Sequence, residues 1–174
     1  MIVLFNKPFG VVCQFSGEDK NLSSFINIKN IYPAGRLDKD SEGLVILTDN
    51  GKLQHKISHP KFDKEKTYIV QVDGSITYEA IDKLTKGVTL KDGKTKPAKA
   101  RIINKPEWVW ERLPPIRIRK NIPTSWIELK ITEGKNRQVR RMCANIGFPT
   151  LRLIRSQVGD WKLNNTELGS YERI

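Results

Sequence analysis

The stretch Gly35-Arg36-Leu37-Asp38-Lys39-Asp40-Ser41-Glu42-Gly43 sets three carboxylates and an arginine just ahead of the apolar run Leu44-Val45-Ile46-Leu47. A polar loop held by a strand positions reactive groups well. An ionised aspartate there can serve as a general base or a nucleophile. In a strongly basic chain a carboxylate beside a polyanion opposes binding, so Asp38 must be paired or have a chemical task. Two other readings of these residues stand beside that one. Asp38 can be a turn former or a plain surface charge. Asp38, Asp40 and Glu42 can also share a Mg²⁺ ion of the nuclease kind, although no second acidic cluster stands elsewhere to complete such a site.

The second region with chemistry in it is basic. From Arg112 to Arg155 the chain carries eleven Lys and Arg against two acids, Glu128 and Glu133. Within it, Asn136 to Gly147 has the pattern of a helix with Asn136 as N-cap and Gly147 just past the end. At helical spacing Val139, Met142, Cys143 and Ile146 share one face, Arg137 and Arg141 the opposite arc, and Arg140 the flank between. Such a helix is either a solvated basic face over an ordinary core stripe or a phosphate-contacting surface. The density of like charge favours the polyanion. Leu151–Arg155 reads as a strand in which Arg155 points with Leu151 and Leu153 toward a buried layer. A buried arginine needs a carboxylate or a phosphate there, unless it snorkels to water from the strand end.

The elements that position these groups follow from local signals. Ile2–Phe5 is predicted as a strand, with Val11–Phe15 resuming extended structure. Leu22–Ile28 fits a short helix or a loop. Gly43–Thr48 is a short apolar run between turn residues, as in a buried strand. Lys52–Ser58 and Thr77–Lys86 are predicted helices, the second capped by Thr77 and stopped by Gly87. Thr67–Val72, Val88–Leu90, Ala98–Ile103 and Trp126–Thr132 are further strands. The proline-rich stretch from Trp108 to Pro123 reads as a loop. Strands without a regular strand–helix–strand period argue for an α+β fold: a mixed, mainly antiparallel central sheet flanked by helices, with two subdomains around a cleft.

Composition bounds the function class. The 174 residues suit one catalytic domain spanning 1–174. The net charge of +12 points to a polyanionic partner. Two distant cysteines, Cys13 and Cys143, and two histidines, His55 and His59, do not assemble a zinc site. The N-terminus lacks the layout of a signal peptide, and no apolar run approaches the ~20 residues of a membrane span. The expected location is the cytoplasm, away from membranes.

Four motifs carry a resemblance. Gly35-Arg36-Leu37-Asp38 with Ser41-Glu42-Gly43-Leu44 is similar to the signature of the RsuA-type ribosomal pseudouridine synthases. Asn6-Lys7-Pro8-Phe9-Gly10-Val11, Lys66-Thr67-Tyr68 and Glu133-Gly134-Lys135-Asn136-Arg137-Gln138-Val139-Arg140-Arg141-Met142 resemble the remaining family motifs, in family order. The family usually places a small S4-type RNA-binding module first. This sequence opens at the catalytic motif, and Leu113–Trp126 is similar to the large-subunit branch without that module.

The resemblance implies the pseudouridine synthase catalytic fold and the isomerisation of uridine to pseudouridine in ribosomal RNA, large-subunit RNA favoured, without cofactor or metal; a monomer is the expected state. It implies that Asp38 is the essential carboxylate, either attacking C1′ or removing the C2′ proton. It implies that Tyr68 packs against the target base and that Arg140 is the counter-charge, with Arg155 the second choice. By the same resemblance Arg36 helps hold the nucleotide or fills the emptied stack, and Lys7, Lys66, Lys135, Arg137, Arg141 and Arg155 are the remaining candidate RNA contacts. The competing readings are a non-catalytic rRNA-binding or ribosome-assembly protein and a metal-dependent nuclease. A membrane-surface role ranks last.

Overall fold

A computed structural model describes residues 1–163 and 165–174. In chain order the strands are β1 (Ile2–Lys7), β2 (Tyr32–Pro33), β3 (Glu42–Thr48), β4 (Lys66–Asp73), β5 (Thr89–Leu90), β6 (Gly93–Lys94), β7 (Lys99–Ile103), β8 (Thr124–Ile131), β9 (Thr150–Val158), β10 (Trp161–Lys162) and β11 (Tyr171–Arg173). The α-helices are α1 (Gly51–Ser58), α2 (Tyr78–Lys86) and α3 (Gln138–Asn145). This is an α+β chain in which β1 pairs antiparallel with β3 and β11, β8 pairs antiparallel with β4 and β7, and β3 pairs in parallel with β9. The residues divide into two compact units, Met1–Lys64 with Ile154–Ile174, and Glu65–Leu153. None of the helices is long and apolar enough to cross a membrane, among the described residues.

In the first unit β1 lies between β11 and β3, antiparallel to both, with Val3 opposite Arg173 on one side and Leu47 on the other. β3 pairs in parallel with β9 through Glu42–Ile154 and Gly43–Arg155. All seven residues of β3 are buried, which is why it reads as an unbroken apolar run rather than an alternating one. Val3, Phe5, Val45 and Leu47 meet Val11, Cys13, Leu22, Ile31 and Leu37 in one core. The expected strand at Val11–Phe15 does not form. The Val12 amide donates to Lys20 O, and the Leu22 amide to Gln14 O, so a loop takes these backbone groups and only a single bridge, Val12–Asn21, remains. The Leu22–Ile28 segment holds just one 3₁₀ turn, Leu22–Ser24, capped by the Asn21 side chain.

In the second unit β4, β8 and β7 form an antiparallel run in that order. Thr77 caps α2 by accepting from the Ala80 amide, and Gly87 follows its end, as predicted. Tyr68, Val70 and Val72 of β4 pack with Ile81 and Leu84 of α2 and with Val139, Met142 and Cys143 of α3. The Trp108–Pro123 stretch is irregular throughout.

The start of α3 differs from expectation. Asn136 is not the N-cap; Arg137 holds that position in the left-handed region, φ 51°, without a side-chain cap. Buried Gln138 organises the turn instead. Its Oε1 accepts from the Lys135 amide at 3.3 Å and its Nε2 donates to Glu133 Oε1 at 3.0 Å. The C-terminus follows the glycine rule. The amides of Gly147 and Phe148 donate to the carbonyls of Ala144 and Cys143, a Schellman closure with Gly147 at φ 89°.

Candidate active site

The loop that carries Asp38 is built from beneath. Leu37 is buried in the first unit's core, while its neighbour Arg36 is exposed and Asp38 half-buried. The Asp38 carbonyl accepts from the Ser41 amide at 3.0 Å, closing a turn between them. The Lys39 carbonyl accepts from the Gly10 amide at 2.8 Å and from Lys7 Nζ at 3.3 Å. Lys7 Nζ also donates to Pro8 O at 2.8 Å and Val11 O at 2.9 Å. One buried ammonium thus joins the Asn6–Val11 motif to the Asp38 loop.

Arg155 fastens the same loop at its two ends. Its Nη2 donates to Gly35 O at 3.0 Å and its Nε to Leu44 O at 2.9 Å. Two bonds from one rigid guanidinium fix the direction in which the loop leaves β3. Gly43 makes the approach possible. It has φ 104°, and a Cβ on it would sit 2.3 Å from the Arg155 carbonyl oxygen.

Electrostatics follow from this burial. Desolvation pulls the Lys7 ammonium down to a pKa of about 8, against the opposing pull of the Cys13 thiol and of the Glu42, Asp40 and Asp38 carboxyls. Burial raises the Cys13 thiol, and a hydrogen bond from the Leu37 backbone and the cations Arg155, Lys7 and Arg36 partly offset it. Asp38 thus sits half-buried on a loop whose backbone is tied down by the buried Lys7. Glu42 is buried inside β3. Asp38, Asp40 and Glu42 do not gather as metal ligands; among the described residues no group of three His, Cys, Asp or Glu could hold an ion.

Two sequence expectations are corrected here. Lys7 is not placed as an RNA contact: its side chain is wholly buried and its ammonium donates to the carbonyls of Pro8, Val11 and Lys39. Arg155 is buried as its strand parity implied, yet its partners are neither a carboxylate nor a phosphate but two backbone carbonyls. A strand signal that continued through Asn6 and Lys7 would have announced the inward lysine. Nothing local to Arg155 announces its partners, which lie more than 100 residues away.

In the second unit the structure brings the Lys66-Thr67-Tyr68 motif to the Glu133–Met142 motif. Lys66 Nζ donates to Thr132 O at 3.1 Å and Glu133 O at 3.3 Å. Tyr68 is 9% exposed and shares a cluster with Val139 and Met142. Arg140 is half-buried, while Lys135 and Arg137 are exposed. Arg141 is held by Asp92, Nη1 to Oδ1 at 2.7 Å, which lowers the Asp92 carboxyl through that hydrogen bond. A further arginine, Arg152 of β9, adds a contact that sequence reasoning missed. It is buried, donates to Trp110 O at 3.0 Å and lies over the Trp126 ring at 6.0 Å.

The sequence profile of a family described as RNA pseudouridylate synthase matches residues 1–145. The chain belongs to this family. Among its pseudouridylate synthase relatives, a ribosomal large subunit pseudouridine synthase E from Vibrio parahaemolyticus is 51% identical over 99% of this chain and 73% of its own length. A protein of the same name from Xanthomonas axonopodis is 49% identical over 94% of this chain and 88% of its own length. A crystal structure titled as a pseudouridylate synthase superposes with a TM-score of 0.82 at 31% identity, covering 98% of this chain and 68% of that one. Membership makes the chain an RNA pseudouridine synthase, an isomerase.

Proposed function

We propose that this chain converts a uridine of large-subunit ribosomal RNA to pseudouridine, with Asp38 as the catalytic carboxylate. The observation that carries the reading is the anchoring of the Asp38 loop. Lys7 and Arg155, both buried, hold its backbone at Gly35, Lys39 and Leu44, on either side of the half-buried Asp38 and the exposed Arg36. A preorganised carboxylate is what a reaction at C1′ or C2′ of a ribose requires. The names of the relatives at about half identity support the large-subunit substrate.

The reaction balances without a co-reactant. The N1–C1′ bond of uridine breaks, the ring turns, and a C5–C1′ bond forms. The C5 hydrogen is lost as a proton and N1 gains one, so mass is unchanged and no water is consumed. Asp38 serves either as nucleophile toward C1′ or as base toward C2′, and both roles need it ionised. On the family resemblance, Tyr68 is assigned to the base and Arg140 to the counter-charge. Arg36, Lys66, Lys135, Arg137 and Arg141 are assigned to the RNA strand. The target nucleotide must leave its stack, and a few kcal/mol of that cost is met by phosphate contacts. The chain acts as a monomer, which sedimentation of the free protein checks.

The test is Asp38→Asn. Pseudouridine in large-subunit rRNA, read by carbodiimide labelling, is expected to disappear, while RNA binding stays within a few-fold. Near-normal turnover by a folded variant would overturn the assignment.

A further inference from the structure

In the second unit the irregular segment 104–123 closes a recess of about 520 Å³ against the ends of β4 and β8. That volume suits a small ligand. Ile116, Ile122 and Leu151 line it with aliphatic surface. Five cations line it against two carboxylates, Asp73 and Glu111. Guanidinium planes and positive charge beside aliphatic surface fit a ligand that has both phosphate and a flat apolar ring, which is the description of a nucleotide.

The polar wall is more selective than the charge. Asp73 and Thr124 stand opposite each other where β4 and β8 pair. The Thr124 hydroxyl is taken up by Gln71 Nε2 at 3.1 Å, so the Asp73 carboxylate is the acceptor at the end of the β4–β8 pair, with Glu111 on the irregular segment. The partner of Asp73 is Arg119 at 3.5 Å, a pair with both members solvent-accessible. Such pairs are weak and readily exchanged. Two carboxylate oxygens match two adjacent N–H donors. Guanine offers them at N1 and N2. Adenine and cytosine offer an amine beside an acceptor nitrogen, and uracil offers one N–H between two carbonyls. Asp73 is five residues from Tyr68 on β4, hence on the opposite face of the strand. The recess is therefore separate from the surface that Tyr68 presents.

We propose that this recess is a second nucleotide site, which holds an unpaired guanosine of the RNA substrate by Asp73, with Arg119 released to its phosphate. The inference rests on the RNA-isomerase reading and adds a sequence preference at a nucleotide other than the target.

The probes are guanosine, inosine and uridine 5′-monophosphates, titrated into the full chain with labelled Ile and Leu methyl groups and followed by NMR. GMP is expected to shift the Ile116, Ile122 and Leu151 methyls saturably. Inosine monophosphate lacks the N2 amine and is expected to bind about tenfold more weakly, as is UMP. In Asp73→Asn the GMP advantage is expected to vanish with the methyl spectrum otherwise unchanged. Equal affinities in the wild-type chain, shifts confined to other methyls, or a GMP advantage that survives in Asp73→Asn would each overturn the proposal. Pseudouridine formation is measured on the same samples. Isomerisation without guanine selectivity removes the recess alone, whereas guanine selectivity in a chain that leaves rRNA uridines untouched removes the catalytic reading and leaves the recess.

Discussion

An ammonium sealed among carbonyls loses its water shell, and Lys7 carries that cost as a pKa of about 8 where an exposed lysine has 10.5. Below pH 8 folded and unfolded chains both hold the proton. Between about 8 and 10.5 the folded chain has released it and the unfolded chain has not, so this group's contribution to stability rises with pH across that window. Urea unfolding of the wild-type chain is therefore expected to show a positive slope there, at most about 1.4 kcal/mol per pH unit, that Lys7→Met removes. The same deprotonation weakens the grip on Lys39 O, so the wild-type rate is expected to fall above pH 8 even as stability gains. Arg155 has a different test. Arg155→Met leaves the carbonyls of Gly35 and Leu44 without their guanidinium. Freed loop ends misplace Asp38, and single-turnover kinetics are expected to show kcat reduced about 10²-fold.

At the scale of the element, the parallel contact between β3 and β9 is where architecture and chemistry meet. Gly43 faces Arg155 across it, and the two backbones approach closer than any side chain allows. Gly43→Ala meets both a clash with backbone and a positive φ. It is expected to destabilise the chain by about 2–3 kcal/mol in chemical denaturation, and to lower activity further because the displaced strand carries Arg155. The helix α3 uses its length in another way. Its inner face of Val139, Met142 and Cys143 fixes it to the core, full burial of Val139 and Met142 contributing about 1.5–3 kcal/mol each.

For the whole molecule the dominant quantity is charge. A chain with a net +12 meets RNA through phosphate contacts and counterion release. Arg137 is exposed at the head of α3. Arg137→Ala is expected to weaken binding and to reduce the slope of log K against log salt by about 0.9 on duplex RNA, or about 0.7 on a single strand. A titration series in salt reads this directly. An unchanged slope removes Arg137 from the RNA contacts.

The chemistry of short range was settled by residue order. β3 as a buried strand, α2 between Thr77 and Gly87, the Schellman end at Gly147 and the apolar face of α3 all follow from neighbours within four or five positions, and each is present. So was the family, because its motifs are local strings. Asn136 shows the limit even there: a good capping residue lost to Gln138, whose side chain is drawn inward by Glu133. Folding alone decided that Lys7 points inside, that Arg155 binds carbonyls of Gly35 and Leu44, and that β11 closes against β1 from the far end of the chain. Those partners are set by which distant segments share a core, and a linear pattern records a residue's burial without naming what lies against it.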